Sequence, residues 1–292
     1  DEKAPTQAEQ EAARLRKLRK DLEAFHGRQD PGAVRAAFRH LGHEDRFIRY
    51  AARIAIENQP IIEWEKKVLN AKDTDTIITG AVALARSGQA ASRDALLNKL
   101  LSLDLAQLSE RQKLELSRAY ALAFVRMGEP ADKELAKRLI VSFDSQYPAK
   151  NAGLNRELSQ LLVFLKAPSV IDKTLAMMDT KVESTMVVDK EALDRNDGYG
   201  GTIKNVLANT PEIQNLHYAM TLRNLRYGWK IDQRKKYFEW YKDAATKSGG
   251  VSYGGFLKNF QKDALANAPA RERAALEKLV GDASLAYKPA AP

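Results

Sequence analysis

"GHEDRFIRYAARIAIENQP", residues 42–60, decides the reading of the fold. Phe47, Tyr50, Ala51, Ile54 and Ala55 fall at i, i+3, i+4, i+7 and i+8, the spacing that gathers side chains on one helix face. That face is expected to be core. Pro60 ends the helix, and a new apolar pattern opens at Ile61, Ile62 and Trp64 after a link of a few residues. Arg46, Arg49 and Arg53 stand beside the apolar face. Asp45 with Arg49 and Arg53 with Glu57 are i, i+4 pairs, so the basic stripe reads as an ion-paired edge between helices rather than an anion-binding track.

Similar boundaries recur along the chain. Ser109 followed by Gln112 makes a capping box, an apolar line runs through Leu114, Ala121 and Phe124, and Gly128 with Pro130 supplies a left-handed stop and a restart. Leu154, Leu158, Leu161, Leu162 and Leu165 form another stripe, closed by Pro168. The run "RLRKLRK" at 14–20 is threaded by Leu15, Leu18, Leu22 and Phe25 and reads as an amphipathic capping helix. Strand signals are nearly absent, because "STMVV" at 184–188 is too short to build a sheet. The chain is therefore expected to be all-α, with a dozen or more helices of about 10 to 18 residues joined by short turns. Pairs at 31–41 with 44–58, 61–71 with 74–87, 110–127 with 130–143 and 152–165 with 168–178 step by roughly 40 residues, the period of HEAT and armadillo units. No pair alone can hide its apolar face, so a HEAT-like right-handed α-solenoid of stacked antiparallel pairs is expected, with a compact irregular helical bundle as the alternative. Its parts are a capping helix at 1–29, repeats at 30–180, a glycine-containing loop region at 181–210, further repeats at 211–285 and a tail at 286–292.

Composition narrows the chemistry. The 292 residues are 44% hydrophobic and 29% charged, which suits a globular chain with a substantial core. Lys and Arg outnumber Asp and Glu by 47 to 38, a net charge of +9 that favours acidic partners without choosing one. With no cysteine, disulfides, thiolate nucleophiles, Cys-ligated zinc and covalent c-type haem are excluded from this chain. No apolar run approaches the roughly 20 residues of a membrane span. The start at Asp1, without methionine or an apolar leader, reads as a processed or excised piece.

"TLRNLRYGWKIDQRKKYFEWYK", residues 221–242, interleaves Arg223, Arg226, Lys230 and Lys235 with Tyr227, Trp229, Tyr237 and Trp240. Basic residues with aromatics suit single-stranded nucleic acid, yet Tyr237, Trp240, Tyr241 and Ala244 trace one helix face, so a core role is the preferred reading. The weak candidate interaction surface is Arg46, Arg49, Arg53, Arg223, Arg226, Trp229 and Lys235. His40, His43 and Glu44 lie close together, but Gly42 interrupts the helix between the histidines, and no metal site is expected. "DRNDGYGG" at 194–201 lacks the spacing and closing glutamate of a calcium loop and reads as a glycine-rich turn. HExxH, P-loop, GxGxxG and GxSxG motifs are missing, and no carboxylate pair stands out. Neither catalytic residues nor a cofactor are expected. In "KSGGVSYGGFLKNF", Gly249 and Gly250 are expected to end one helix in a left-handed turn, and Ser252 or Tyr253 to open the last but one.

Five blocks carry a resemblance: "EAFHGRQDPGAV", "DRFIRYAARIAIENQPIIEW", "LNRELSQLLVFLKAPSV", "GYGGTIKNVLANTPEIQNLHYAMTLRNLRYGW" and "YFEWYKDAATKSGGVSYGGFLKNFQKDAL". Together they resemble the HEAT-repeat region of large extracytoplasmic proteins of planctomycetes, verrucomicrobia and relatives. There the region follows a sorbosone-dehydrogenase-like propeller and precedes a c-type cytochrome domain. The resemblance implies an exported, periplasmic spacer or docking module whose partner is a protein or adjoining domain, associated with redox or carbohydrate-related machinery. It supplies no catalytic residues. The expected function is thus a non-catalytic scaffold; a nucleic-acid-binding HEAT-like solenoid and a hydrolase or ligand-binding enzyme with a scattered site are the alternatives.

Overall fold

A computed structural model describes residues 5–180, 210–247 and 252–280. Among the described residues there are fourteen α-helices and no strand, so the all-α expectation holds. Two compact units divide the chain at Gln146 and Tyr147.

The first unit contains Gln7–Glu23 (α1), Ala33–Ala37 (α2), Arg46–Glu57 (α3), Glu65–Leu69 (α4), Thr74–Ser87 (α5), Arg93–Leu101 (α6), Glu110–Met127 (α7) and Lys133–Asp144 (α8). Short polar side chains start most of these helices by accepting from otherwise orphaned backbone N–H groups. Asp45 caps α3, Asp73 caps α5 and Asp132 caps α8. Ser109 and Gln112 form the expected capping box on α7, and Thr6 with Glu9 forms another on α1. Gly128 closes α7 at φ +90° and ψ −173°, a positive-φ conformation open mainly to glycine. Helices α2 and α4 have only five residues, shorter than expected. Helix α6 stands between the second and third of the anticipated pairs.

Helices pack on their chain neighbours and also on the next but one. In the first unit α1 lies on α3, α3 on α5 and α5 on α7, while α4 lies on α6 and α6 on α8. The two rows meet where α2 touches α3, α4 touches α5, and α6 touches both α5 and α7. Polar bonds link next-but-one helices within each row, three of them at offsets of 36 to 40 residues. Arg111 donates to Asp75 36 residues away, Arg126 to the Arg86 carbonyl 40 away, and Arg138 to Asn98 40 away.

Two apolar faces differ from their expected positions. On α3 the buried residues are Ile48, Arg49, Ala51, Ala52, Ala55 and Ile56, whereas Phe47 is 53% and Tyr50 58% exposed. The alanines let neighbouring helices approach closely, and the aromatics turn outward beneath guanidinium groups. On α7 the core line is Leu116, Ala119, Tyr120, Ala123, Phe124 and Met127, with Leu114 and Ala121 only half-buried. The α1 seam is likewise half-buried apart from Leu22, as befits a helix covered on one side.

The second unit contains Ala152–Phe164 (α9), Val170–Met178 (α10), Ile213–Leu222 (α11), Ile231–Ala245 (α12), Tyr253–Asn267 (α13) and Ala270–Val280 (α14). It has the same order: α9 packs on α11 and α11 on α13, α10 on α12 and α12 on α14. Leu154, Leu158, Leu161 and Leu162 are buried as expected, with Leu165 half-buried. Tyr237, Tyr241 and Ala244 are core, joined by Phe238, and Trp240 packs edge-on against Tyr241 from a half-buried position. The Tyr237 hydroxyl reaches the Ala219 carbonyl at 2.7 Å and the Tyr241 hydroxyl at 2.8 Å. Ser252 and Tyr253 open α13, the last helix but one among the described residues, as the sequence implies. Gly249, Gly250, "STMVV" and "DRNDGYGG" lie outside the described residues.

The ring of His217 on α11 sits 3.1 Å from the Arg156 carbonyl of α9. Burial pushes its pKa below the ordinary histidine value. A group depressed in the folded state contributes stability above its unfolded pKa and loses it as the pH falls through the folded one. Acidification from about pH 7 to pH 5 is therefore expected to lower the melting temperature, and His217→Asn to flatten that slope, in a series of thermal melts.

Candidate functional site

Arg46, Arg49 and Arg53 do come together, at a cleft of about 230 Å³ within the first unit. Helix α3 supplies these arginines and Tyr50, α5 supplies Ile78, Thr79 and Val82, and α7 supplies Glu115 and Arg118. Sequence reading missed the α5 and α7 contributions. Arg111, Glu115 and Arg118 share a face of α7 at i, i+4 and i+7, a spacing visible in the sequence; that this face meets α3 is not.

The three arginines have different duties. Arg49 is buried, and its Nη1 donates to the carbonyls of His43 at 2.8 Å and Glu44 at 2.9 Å. Its Nη2 reaches Glu115 Oε1 at 3.1 Å, and Arg111 holds the other oxygen of that carboxylate at 2.7 Å before reaching on to Asp75. The expected Asp45–Arg49 pair is replaced, because Asp45 spends its carboxylate capping Phe47 and Ile48. Arg53 does pair with Glu57, as expected, and Glu57 also accepts from Arg86 on α5 at 3.0 Å. Arg53 further covers the Tyr50 ring, with its guanidinium carbon 5.0 Å from the ring centre. Arg46 is exposed, with its guanidinium carbon 4.7 Å from the centre of the Phe47 ring. The stripe thus combines a buried strut, a bridging ion pair and a solvent-facing cation.

The second basic stretch forms no such cluster. Arg223 pairs with Asp263 at 3.1 Å and lies over Phe260 of α13. Trp229 donates to the Leu225 carbonyl and packs between Tyr237 and Arg234. Arg234 is itself buried, 3.0 Å from Glu272, with its pKa lowered by burial against the opposing pull of that carboxylate. Arg226 and Lys235 are exposed, and Lys235 pairs loosely with Asp232 on its own helix. Among the described residues, no hydrogen bond, ion pair or ring contact joins Arg223, Arg226, Trp229 and Lys235 to one another.

Backbone groups place His26 and His43, while the His40 ring accepts from the Arg39 guanidinium. His43 Nδ1 accepts from the Asp45 N–H, and His26 faces the Ala51 carbonyl. The rings of His40 and His43 are 6.2 Å apart, centre to centre. Among the described residues, no three His, Asp or Glu side chains lie close enough to hold a metal ion. No described helix is long and apolar enough to cross a membrane. The cleft presents the exposed Arg46 guanidinium and Tyr50 ring beside the aliphatic side chains of Ile78 and Val82. No family model, curated protein or solved structure matches the chain.

Proposed function

We propose that the chain is a non-catalytic α-solenoid of HEAT-like helix pairs that serves as a docking scaffold for a protein or an adjoining domain. The observation that supports this reading is the two-row order within each unit, in which most helices pack on the next but one. Polar links of 36 to 40 residues recur in the first unit, and Arg223–Asp263 repeats the 40-residue offset in the second. Stacked pairs of this kind present long rows of side chains, and their usual business is to hold partners. Exposed Phe47 and Tyr50, each beside an arginine, supply the residue types that dominate binding energy in protein interfaces. By the resemblance in the five sequence blocks, the partner is a propeller or c-type cytochrome domain and the setting is periplasmic.

Mass spectrometry of the protein purified from its source tests the proposal. A chain contiguous with a propeller or a CxxCH domain, or a stoichiometric protein partner, is the expected result. A free chain that co-purifies with nucleic acid would overturn it.

A further inference from the structure

The cleft of α3, α5 and α7 has a chemistry that names its occupant. Four arginines line it against one glutamate, so its charge is positive. That charge is interrupted, because Arg49 is committed to Glu115 and Arg53 to Glu57. Arg46 makes no ion pair among the described residues. Ile78, Val82 and the exposed Tyr50 give the cleft an apolar side, and its volume of about 230 Å³ is below the roughly 300–1,000 Å³ of drug-sized sites. There is room for a side chain or two with a charged neighbour.

The geometry points to an acidic, apolar-flanked segment of a partner protein as the occupant, a partner chemistry that takes the scaffold reading as given. Its carboxylate meets the Arg46 guanidinium, whose fork matches a carboxylate. Its aliphatic or aromatic side chain lies against Tyr50, Ile78 and Val82. Charge complementarity with a chain of net charge +9 speeds the encounter, and the apolar contact supplies the residence time. A nucleic-acid backbone fits less well. Duplex DNA offers one phosphate charge per roughly 1.7 Å and rewards many uncompensated cations, whereas here the carboxylates of Glu115 and Glu57 stand among the arginines.

Fluorescence anisotropy on the full chain tests this, with a labelled peptide of glutamates flanked by leucine and phenylalanine, its glutamine counterpart, and labelled single-stranded and duplex DNA. The acidic peptide is expected to bind and the glutamine peptide to bind at least about ten-fold more weakly. Arg46→Glu and Tyr50→Ala alter exposed positions and should each weaken the acidic peptide by about ten-fold, while Lys137→Glu at an exposed position of α8 outside the cleft leaves it unchanged. Circular dichroism checks that the variants fold. Peptide binding that survives both cleft variants, or DNA that binds more tightly than the peptide and is lost in the same variants, overturns the inference. Failure of every peptide to bind also overturns it, and does so without touching the scaffold reading, which co-purification judges whatever the partner's charge.

Discussion

Replacing Trp64 by alanine is expected to destabilise the first unit by about 3–5 kcal/mol. Trp64 is fully buried at the start of α4, where its indole N–H donates to the Gln59 carbonyl at 3.3 Å. Gln59 is the knot of this corner. Its side-chain amide donates to the Arg28 and Ala55 carbonyls, each at 3.0 Å, and its Oε1 accepts from the Asp30 N–H at 2.8 Å. Truncation would remove a large buried ring, leave a cavity and strand a carbonyl, three costs that act at one place. Trp64→Phe keeps most of the apolar contact and loses only the hydrogen bond and part of the volume, so it should cost about 1–2 kcal/mol. Urea unfolding followed by far-ultraviolet circular dichroism reads both. Equal effects of the two substitutions would show that the ring's volume is not what holds the corner.

Arg49→Ala comes next, at about 3 kcal/mol. The substitution strands two carbonyls in the turn before α3 and removes a partner from Glu115. The cost stays at the lower end of the range for broken buried pairs because Arg111 still holds Glu115, which is 31% exposed. Lysine offers no planar fork for two carbonyls and a carboxylate at once, so Arg49→Lys should recover only part of the loss. Arg46→Ala, one turn earlier on the same stripe, is expected to stay within about 0.5 kcal/mol. That contrast, measured by the same unfolding experiment, separates a strut from a surface cation. Equal costs at the two positions would mean that the buried network around Arg49 does not hold the turn.

The difference between Arg49 and Arg46 also shows where sequence reasoning runs out. Helix boundaries were legible where they depend on residues a few places apart, as with Ser109 and Gln112 before α7 and Gly128 after it, although the sequence spacing assigns Asp45 an ion pair with Arg49 rather than its capping role. The rotation of α3 was not. Two overlapping arcs satisfy its periodicity, one through Phe47, Tyr50 and Ile54, the other through Ile48, Ala52, Ala55 and Ile56. Aromatic bulk favours the first arc when the helix is read alone. The packing of α1 and α5 against α3 selects the second, since small side chains permit close approach. Once the helix turns that way, Arg49 is carried inward and must find partners there.

The cleft shared this fate. Its α3 side could be named from one stretch, whereas Ile78, Val82, Glu115 and Arg118 arrive from segments up to about 70 residues away, because helices next but one in sequence are neighbours in space. The roughly 40-residue step expected from the spacing of the helix pairs is matched by only some of the links between next-but-one helices: Arg126–Arg86, Arg138–Asn98 and Arg223–Asp263 span 40 residues, whereas Arg86–Glu57 spans 29 and Arg156–Gln214 spans 58.

Those links allow the most direct test of the two-row order. The chain has no cysteine, so an introduced pair reacts without competition. Asn98→Cys with Arg138→Cys replaces side chains that touch at 3.1 Å between α6 and α8, and Arg223→Cys with Asp263→Cys does the same between α11 and α13. A short bis-maleimide added to dilute protein should close both pairs within one chain, read as a single intramolecular cross-linked peptide by mass spectrometry. If each cysteine reacts fully on its own yet neither pair closes, helices 40 residues apart are not neighbours and the two-row order is wrong.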